Sequence, residues 1–200
     1  MRLADSDRNW SFFSTGFEPA LAYVVGAGAM LGATAGTDLA PDPRLTDAPS
    51  LPVPELIARK AAAAWPAWWE STMLQYRQAS RQQQDPRSLE MCEALAGSDL
   101  LLMLHRVRAP LTRWLGDLDP TDLLQHSAAH LVTFAEAAHG RRARNFTIRY
   151  DVLPVSGPVV LTISEDPATA QSRLLISSAE VRTPGHLDRI LSTALDRIAF

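Results

Sequence analysis

Strict alternation of apolar and polar residues begins at residue 145 and constrains the fold more than any other feature of the chain. One set of alternating positions is apolar: Phe146, Ile148, Tyr150 and Val152. The positions between them are polar: Thr147, Arg149 and Asp151. A period of two residues is typical of a β-strand with one face in a core. The residues before Arg144 are instead rich in Ala, Leu, Trp and Arg, which is typical of helices.

The residues from 145 onward predict a small sheet closed by a helix. Three strands are predicted, over residues 145–155, 159–164 and 173–181, and the short links between them favour an antiparallel meander. A one-sided amphipathic helix follows Thr183-Pro184-Gly185 and should cover one face of the sheet. The expected fold class is therefore α+β, with a mainly helical body, a three-stranded antiparallel sheet and a C-terminal amphipathic helix.

Composition divides the chain into an N-terminal segment and a single domain. Residues 1–54 are aromatic and rich in Gly and Pro, whereas 55–200 form one α+β domain, helical over 55–140 and β-β-β-α over 145–200. The residues after Pro19 predict either a small-residue helix over 19–36 or a short strand over 21–25. Pro66 should kink or break the helix that begins at residue 55, and Pro110 should interrupt the next long helix.

Charge and cysteine content exclude several classes of protein. The net charge of −3 argues against a nucleic-acid binder, which is usually basic. The only cysteine, Cys92, permits no internal disulfide, and this suits a cytoplasmic protein. Its acidic neighbours Glu90 and Glu93 would raise the pKa of the thiol, so a buried and unreactive cysteine is expected. No membrane span is expected, because the charge-free residues 19–37 are dominated by Ala and Gly.

Histidines provide a candidate metal site. His126 and His130 are four residues apart and would share one face of the helix predicted over 121–139. Both imidazoles could then bind one divalent transition metal, and His105 on another predicted helix could supply a third ligand. The competing interpretation is two partly exposed histidines on an alanine-rich helix, and it predicts that no cofactor is bound.

Two further patterns suggest anion or phosphate binding. Arg141, Arg142 and Arg144 follow a predicted helix C-terminus, where they could hold an anion or could complement the helix dipole in solvent. Gly26 and Gly28 follow residues 21–25 with part of the spacing of a dinucleotide-binding turn, but the third glycine of that motif is missing. Close packing of a small-residue segment against a neighbour explains these two glycines better.

The N-terminal aromatic residues support the leading functional hypothesis. Four of them lie among Ser, Asn and Thr: Trp10, Phe12, Phe13 and Phe17. Such side chains either pack back onto the body or dock on a partner. No catalytic motif is found in the sequence, and the excess of Arg over Lys suggests a bacterial source. We therefore predict a non-enzymatic interaction or assembly subunit of a bacterial or phage complex, which binds a protein partner or itself. The alternative is a metal-dependent helical-bundle enzyme that uses His126 and His130.

Overall fold

The computed structural model describes residues 9–33, 55–81, 89–118 and 129–200, and these ranges contain four strands and seven helices. The strands are β1 (Trp10–Phe17), β2 (Phe146–Leu153), β3 (Val160–Asp166) and β4 (Gln171–Ser177). The helices are α1 (Pro19–Met30), α2 (Glu55–Arg81), α3 (Leu89–Ala94), α4 (Ser98–Asp117), α5 (Ala129–His139), α6 (Ser178–Arg182) and α7 (His186–Ala199).

The chain folds into two compact units. The sheet unit comprises Met1–Gly16, Pro120–Val152 and Pro158–Phe200, and it contains the four strands, except the last residues of β1 and β2, together with α5–α7. The helical unit comprises Phe17–Asp119 and Leu153–Gly157 and contains α1–α4. The domain boundary predicted after residue 54 stays a prediction, because residues 34–54 lie outside the described residues.

The prediction of a three-stranded antiparallel sheet is wrong. The sheet is mixed, with parallel as well as antiparallel neighbours, and the described strands lie in the order β1-β2-β4-β3. The N-terminal residues supply a strand that was not predicted, and β3 lies beyond β4 instead of between β2 and β4. The protein is nevertheless α+β, with helix as the main element.

Hydrogen-bonded residue pairs show that β1 runs parallel to β2. The amide of Asn9 donates to the side-chain oxygen of Asn145 (3.0 Å), and the hydroxyl of Ser11 donates to that of Thr147 (3.3 Å). Partners that advance together along both strands define a parallel register. Each pair joins residues 136 positions apart in the chain, so β1 depends on a long-range contact.

Strand β4 lies between β2 and β3. The amide of Thr147 donates to the carbonyl of Ala170, just before β4, at 2.9 Å. Further along the same two strands, Asp151 pairs with Arg173 at 2.7 Å. These strands are therefore also parallel, whereas β3 and β4 form an antiparallel hairpin. The described strands thus form two parallel pairs and one antiparallel hairpin.

Helix α7 packs on the sheet, as its amphipathic pattern predicted. It contacts β3 and β4 and lies beside α5. Its buried side chains form one stripe: Leu187, Leu191, Ala194, Leu195, Ile198 and Ala199. Helix α5 ends at His139, where Gly140 adopts the left-handed backbone conformation expected of a C-terminal glycine (φ 63°). The C-terminal helix thus builds one side of the sheet-unit core.

Tryptophan side chains on α2 form the centre of the helical unit. Trp65, Trp68 and Trp69 are almost completely buried and recur at three- and four-residue steps. Helix α2 continues through Pro66, and α4 continues through Pro110, so the interruption predicted at Pro110 does not occur. A proline inside a helix removes one backbone hydrogen bond, and both helices nevertheless continue past it.

Residues after Pro19 form helix α1 and not the alternative strand. Pro19 occupies the first turn, where its missing amide is harmless. A Cβ atom on Gly26 would lie 2.5 Å from Leu111, and one on Gly28 would lie 2.5 Å from Trp65. Close helix packing therefore explains both glycines, as the sequence indicated. None of the helices within the described ranges, α1 included, is long and apolar enough to cross a membrane.

Candidate functional site

A groove lies in the sheet unit between strand β3 and helix α7, and we name it the β3–α7 groove. Its volume is about 360 Å³. The lining side chains come from β3, β4 and α7: Val160, Thr162, Glu165, Leu174, Arg189, Ile190, Thr193, Ala194 and Arg197. The groove therefore combines an apolar floor with two hydroxyls, two guanidinium groups and one carboxylate.

One stripe of α7 forms the helical wall of the groove. Arg189, Thr193 and Arg197 recur every four residues, so their side chains lie above one another on the helix surface. Ile190 and Ala194 lie beside them and contribute apolar surface. Ile190 follows the apolar pattern of α7 but is only partly buried, because it lines the groove.

A partly exposed ion pair lies at one end of the groove. Arg197 Nη1 lies 3.8 Å from Glu165 Oε2, near the C-terminal ends of both β3 and α7. Arg189 is about two helical turns earlier and therefore lies toward the Val160 end. Its guanidinium forms no ion pair with any residue that the structure describes. This arrangement leaves a positive charge at the Val160 end of the groove.

A β-bulge points Glu165 toward the groove. The pairing register of β3 shifts between Thr162 and Ser164, so Ile163 is an extra residue without an opposite partner in β4. Side chains alternate between the two faces of a regular strand, so Thr162 and Glu165 would otherwise point in opposite directions. The extra residue places both on the groove face, where Glu165 reaches Arg197.

The backbone of β3 is open on its outer side. Among the described strands, β4 is the single neighbour of β3. The amide of Ser177 donates to the carbonyl of Val159 (2.8 Å), which places Val159 in a hydrogen-bonded pair. Hydrogen-bonded and non-hydrogen-bonded pairs alternate in an antiparallel ladder. The N–H and C=O groups of Val160 and Thr162 therefore point away from β4, while their side chains line the groove.

The N-terminal aromatic residues predicted to bind a partner lie on β1: Trp10, Phe12, Phe13 and Phe17. Trp10 stacks on Phe146 with ring centroids 6.1 Å apart, and Phe12 meets Phe146 edge-on at 5.2 Å. Phe13 lies on the other side of the strand, where the Arg149 guanidinium is 5.9 Å from its ring centre. Phe17 is partly buried. Trp10 and Phe12 therefore do not share a surface with Phe13, and the partner-binding role of the four residues stays a prediction.

Two of the three arginines predicted to bind an anion contact the end of α7. Arg144 Nε donates to the carbonyl of Ile198 at 2.6 Å, and Arg141 donates to the carbonyl of Phe200. Cationic groups at a helix C-terminus complement the helix dipole, so both side chains have a structural role. Arg142 is exposed. Anion binding by this cluster stays a prediction.

The structure describes two of the three predicted metal ligands. His130 Nε2 lies 3.4 Å from Asp188 Oδ2, and His105 is exposed on α4. His126 falls outside the described residues. No group of three or more His, Cys, Asp or Glu side chains that could hold a metal occurs in the described part of the chain. The metal site therefore stays a prediction.

A buried ion network joins β2 to β4. Asp151 is fully buried, and Arg173 Nε donates to its Oδ2 at 2.7 Å. Arg149 Nε donates to the other carboxylate oxygen at 3.3 Å. A carboxylate removed from water is strongly destabilising unless such partners neutralise it. The network therefore favours the observed parallel pairing of β2 with β4, because that pairing brings the three side chains together.

The helical unit buries a polar cluster around Cys92. Tyr23 Oη donates to Glu93 Oε1 at 2.7 Å, and Arg108 Nε lies 3.5 Å from the same oxygen. Burial, followed by the charges of Glu18 and Glu93, raises the pKa of the Cys92 thiol to about 12. Burial and the hydrogen bond to Glu93 raise the pKa of Tyr23 well above its ordinary value. Cys92 is therefore a neutral thiol near pH 7 and a poor nucleophile.

Comparison with known proteins reveals no relative. No protein-family model, no curated protein and no solved structure matches the chain. The groove geometry is therefore the basis for the function proposed below.

The residues of the groove were not identified by sequence reasoning. The amphipathic pattern places Arg189 and Arg197 on the polar face of α7 without indicating a role, and Glu165 precedes a turn-forming proline. The available signal was an uncharged strand over residues 160–164, followed by two arginines eight residues apart on the last helix. The β-bulge at Ile163, which brings these side chains into one groove, cannot be recognised from a local sequence pattern.

Proposed function

We propose that the protein is a non-enzymatic interaction or assembly subunit that binds an extended segment of a partner protein as an additional strand on β3. The observation that carries the proposal is the outward-facing backbone of Val160 and Thr162 beside the β3–α7 groove. Strand addition takes affinity from main-chain hydrogen bonds and specificity from pockets for alternate side chains. The single cysteine and the arginine-rich composition support a cytoplasmic bacterial or phage complex as its setting.

The first half of β3 lacks two of the usual protections of an edge strand, charged residues and proline. Proteins commonly block such edges with Lys, Pro or inward-pointing charges. Residues 160–164 contain no charged residue and no proline, and Val160 exposes 46% of its surface. The bulge at Ile163 limits regular pairing to the residues before it. A partner segment would therefore pair with Val160 and Thr162 and cover apolar surface that is exposed in the free protein.

The groove accommodates the side chains of such an added strand. Residues directly opposite each other on neighbouring strands point to the same face. The partner residues opposite Val160 and Thr162 would therefore point toward α7. Leu174 and Ala194 offer apolar contacts within the volume of about 360 Å³. The bound segment should therefore carry an apolar side chain opposite Thr162.

Removing one outward-facing amide tests this proposal. Displayed random dodecapeptides without a free C-terminus, selected on the wild-type protein, supply the probes. Thr162→Pro removes an N–H that makes no bond to β4, so the fold should survive while the affinity of selected peptides falls about tenfold. Thr162→Val keeps the amide and is the matched control, and circular dichroism verifies folding of both variants. Failure to enrich any peptide, or equal binding by Thr162→Pro, would contradict the proposal.

The metal-dependent enzyme remains the alternative prediction. It requires His126 and His130 to bind a divalent transition metal with a further ligand such as His105. Native mass spectrometry of protein purified without chelators measures the metal content directly. One metal ion per chain that is lost on combining His126→Ala with His130→Ala would support the enzyme. A metal-free wild-type chain would exclude this use of the histidines.

A further inference from the structure

We infer that the bound partner segment carries an acidic side chain, Asp or Glu, which Arg189 binds at the Val160 end of the β3–α7 groove. This inference rests on the proposed function, because it assigns the chemistry of the segment that β3 would receive. It adds a charge requirement to the apolar contact. The expected ligand therefore has a sequence preference that main-chain pairing alone would not produce.

The acidic side chains of α7 face α5, whereas its two arginines face the groove. Asp188 lies 3.4 Å from His130, and Asp196 lies 3.1 Å from His139, so both carboxylates point toward α5. The arginine that follows each of them in the chain lines the groove. Neighbouring helix residues are about 100° apart around the axis, so consecutive acidic and basic residues reach different surfaces. The acidic residues of α7 are thereby kept away from the groove.

The charge balance inside the groove favours an anionic ligand. Arg197 and Glu165 form one pair at 3.8 Å, so their charges offset each other. Arg189 adds a second cation that no carboxylate among the described residues neutralises by an ion pair. A guanidinium presents donors in a planar fork that matches a carboxylate, and binding beside apolar surface strengthens the contact. A carboxylate on the partner segment would form an ion pair with Arg189 and offset its positive charge.

An acidic peptide fits this site better than a nucleic acid does. A phosphate could also bind Arg189, but nucleic-acid surfaces usually combine several cations, and this groove presents the carboxylate of Glu165. The whole chain carries a net charge of −3. The outward backbone groups of Val160 and Thr162 are suited to pair with a peptide main chain.

The register of the added strand defines the spacing of the two recognised side chains. The acidic residue would lie opposite Val160, near Arg189, and the apolar residue would lie opposite Thr162. Side chains on one face of a strand are two residues apart. The ligand should therefore contain an acidic and an apolar residue separated by a single intervening residue.

Three parallel selections with the same displayed library test the inference. On the wild-type protein, enriched peptides should contain Asp or Glu two positions from an apolar residue. On Arg189→Gln, the acidic preference should disappear while the apolar preference remains. Arg182→Gln is the matched control, because Arg182 is an exposed arginine outside the groove lining. Selection on this control should reproduce the wild-type preference.

Titration of one enriched peptide measures the strength of the contact. The peptide and its version with the acidic residue replaced by the corresponding amide are compared by fluorescence anisotropy. Wild-type protein should bind the acidic peptide about tenfold more tightly, whereas Arg189→Gln should bind both peptides equally. The difference should shrink as salt is added, because ions screen exposed charges.

The outcomes separate this inference from the proposed function. If no peptide is enriched, both are wrong. If peptides bind through the Thr162 amide without an acidic preference, the inference alone is wrong. It is also wrong if Arg182→Gln, and not Arg189→Gln, removes the acidic preference. Binding of a short random RNA that Arg189→Gln abolishes, with no peptide enriched, would assign the groove to nucleic acid.

Discussion

Gly28 of α1 lies directly against the indole ring of Trp65 of α2. A Cβ atom at Gly28 would be 2.5 Å from both Nε1 and Cε2 of that ring. Trp65 Nε1 also donates a 2.7 Å hydrogen bond to the carbonyl of Val24. The missing side chain of Gly28 therefore lets a large buried ring reach the α1 backbone and satisfy its polar atom.

Gly28→Ala should destabilise the helical unit by about 3 kcal/mol, because the tightly packed indole cannot move away without losing its hydrogen bond. Gly116→Ala is the matched control, since a Cβ there meets nothing within 4 Å in helix α4. That control should be neutral or stabilising by up to about 1 kcal/mol. Guanidinium unfolding followed by tryptophan fluorescence compares them, and equal stabilities would refute the tight contact.

Asp151→Asn should destabilise the sheet unit by about 3–5 kcal/mol. The substitution removes the negative charge that Arg173 and Arg149 share, so the buried Arg173 loses a carboxylate that lies 2.7 Å from its guanidinium. Asp196→Asn breaks a partly exposed pair with His139 and should cost under about 1 kcal/mol. Urea unfolding followed by circular dichroism measures both changes. Similar losses for the two variants would show that the buried network contributes little.

Cys92 should make the stability of the helical unit depend on alkaline pH. The folded thiol has a pKa of about 12, whereas an unfolded thiol ionises near 8.5. Its contribution is therefore complete below about pH 8.5 and is lost as the pH rises toward 12. Between pH 8 and 10 the wild type should lose about 2 kcal/mol more unfolding free energy than Cys92→Ala.

Tryptophan fluorescence is a suitable measurement for this comparison, because four of the five tryptophans lie in the helical unit. Guanidinium unfolding of the wild type and of Cys92→Ala at pH 8 and pH 10 measures how much unfolding free energy each protein loses between the two pH values. Equal losses would mean that the thiol ionises in the folded protein as readily as in the unfolded chain.

Asp166 should titrate below its ordinary pKa in the turn between β3 and β4. The Thr169 hydroxyl donates to its carboxylate at 2.7 Å, and the Ala168 amide adds a second hydrogen bond, so the pKa is lowered. The small stabilisation involved is present above the unfolded pKa and is lost as pH falls through the folded pKa. In an NMR titration, Thr169→Val should raise the pKa of Asp166, whereas Thr133→Val, at an exposed site in α5, should not.

Local periodicity predicted the strands and helices whose apolar residues recur at a regular spacing within the element itself. The alternation after residue 145 correctly predicted β2, and the amphipathic spacing correctly predicted α7. Strand β1 was missed because its pairing partner is 136 residues away, and the sequence near Trp10 shows aromatic residues without indicating where they pack. The order β1-β2-β4-β3 was missed for a related reason, since backbone hydrogen bonds are chemically alike in every strand order.

The candidate site depends on a β-bulge that no local sequence pattern predicts. Ile163 could belong to a regular strand, and only its missing partner in β4 makes it a bulge. That one extra residue brings Glu165 to the same face as Thr162 and allows its contact with Arg197. The predicted histidine and arginine clusters rested instead on residue type and spacing, which do not specify the neighbours of a side chain in space.

The sequence by itself determined that β2 and β3 are strands and that α7 is a one-sided amphipathic helix, because periodicity acts over a few residues. The end of the third predicted strand, residues 178–181, belongs instead to helix α6. The raised pKa of the Cys92 thiol comes first from burial and then from Glu18, which is distant in sequence, so it depends on the tertiary structure. Only the tertiary structure decided that β3 ends the described sheet and that α7 turns its arginines toward it. Those features arise from pairing and packing between distant residues. Their free energies depend on which surfaces meet, and no short stretch of sequence contains that information.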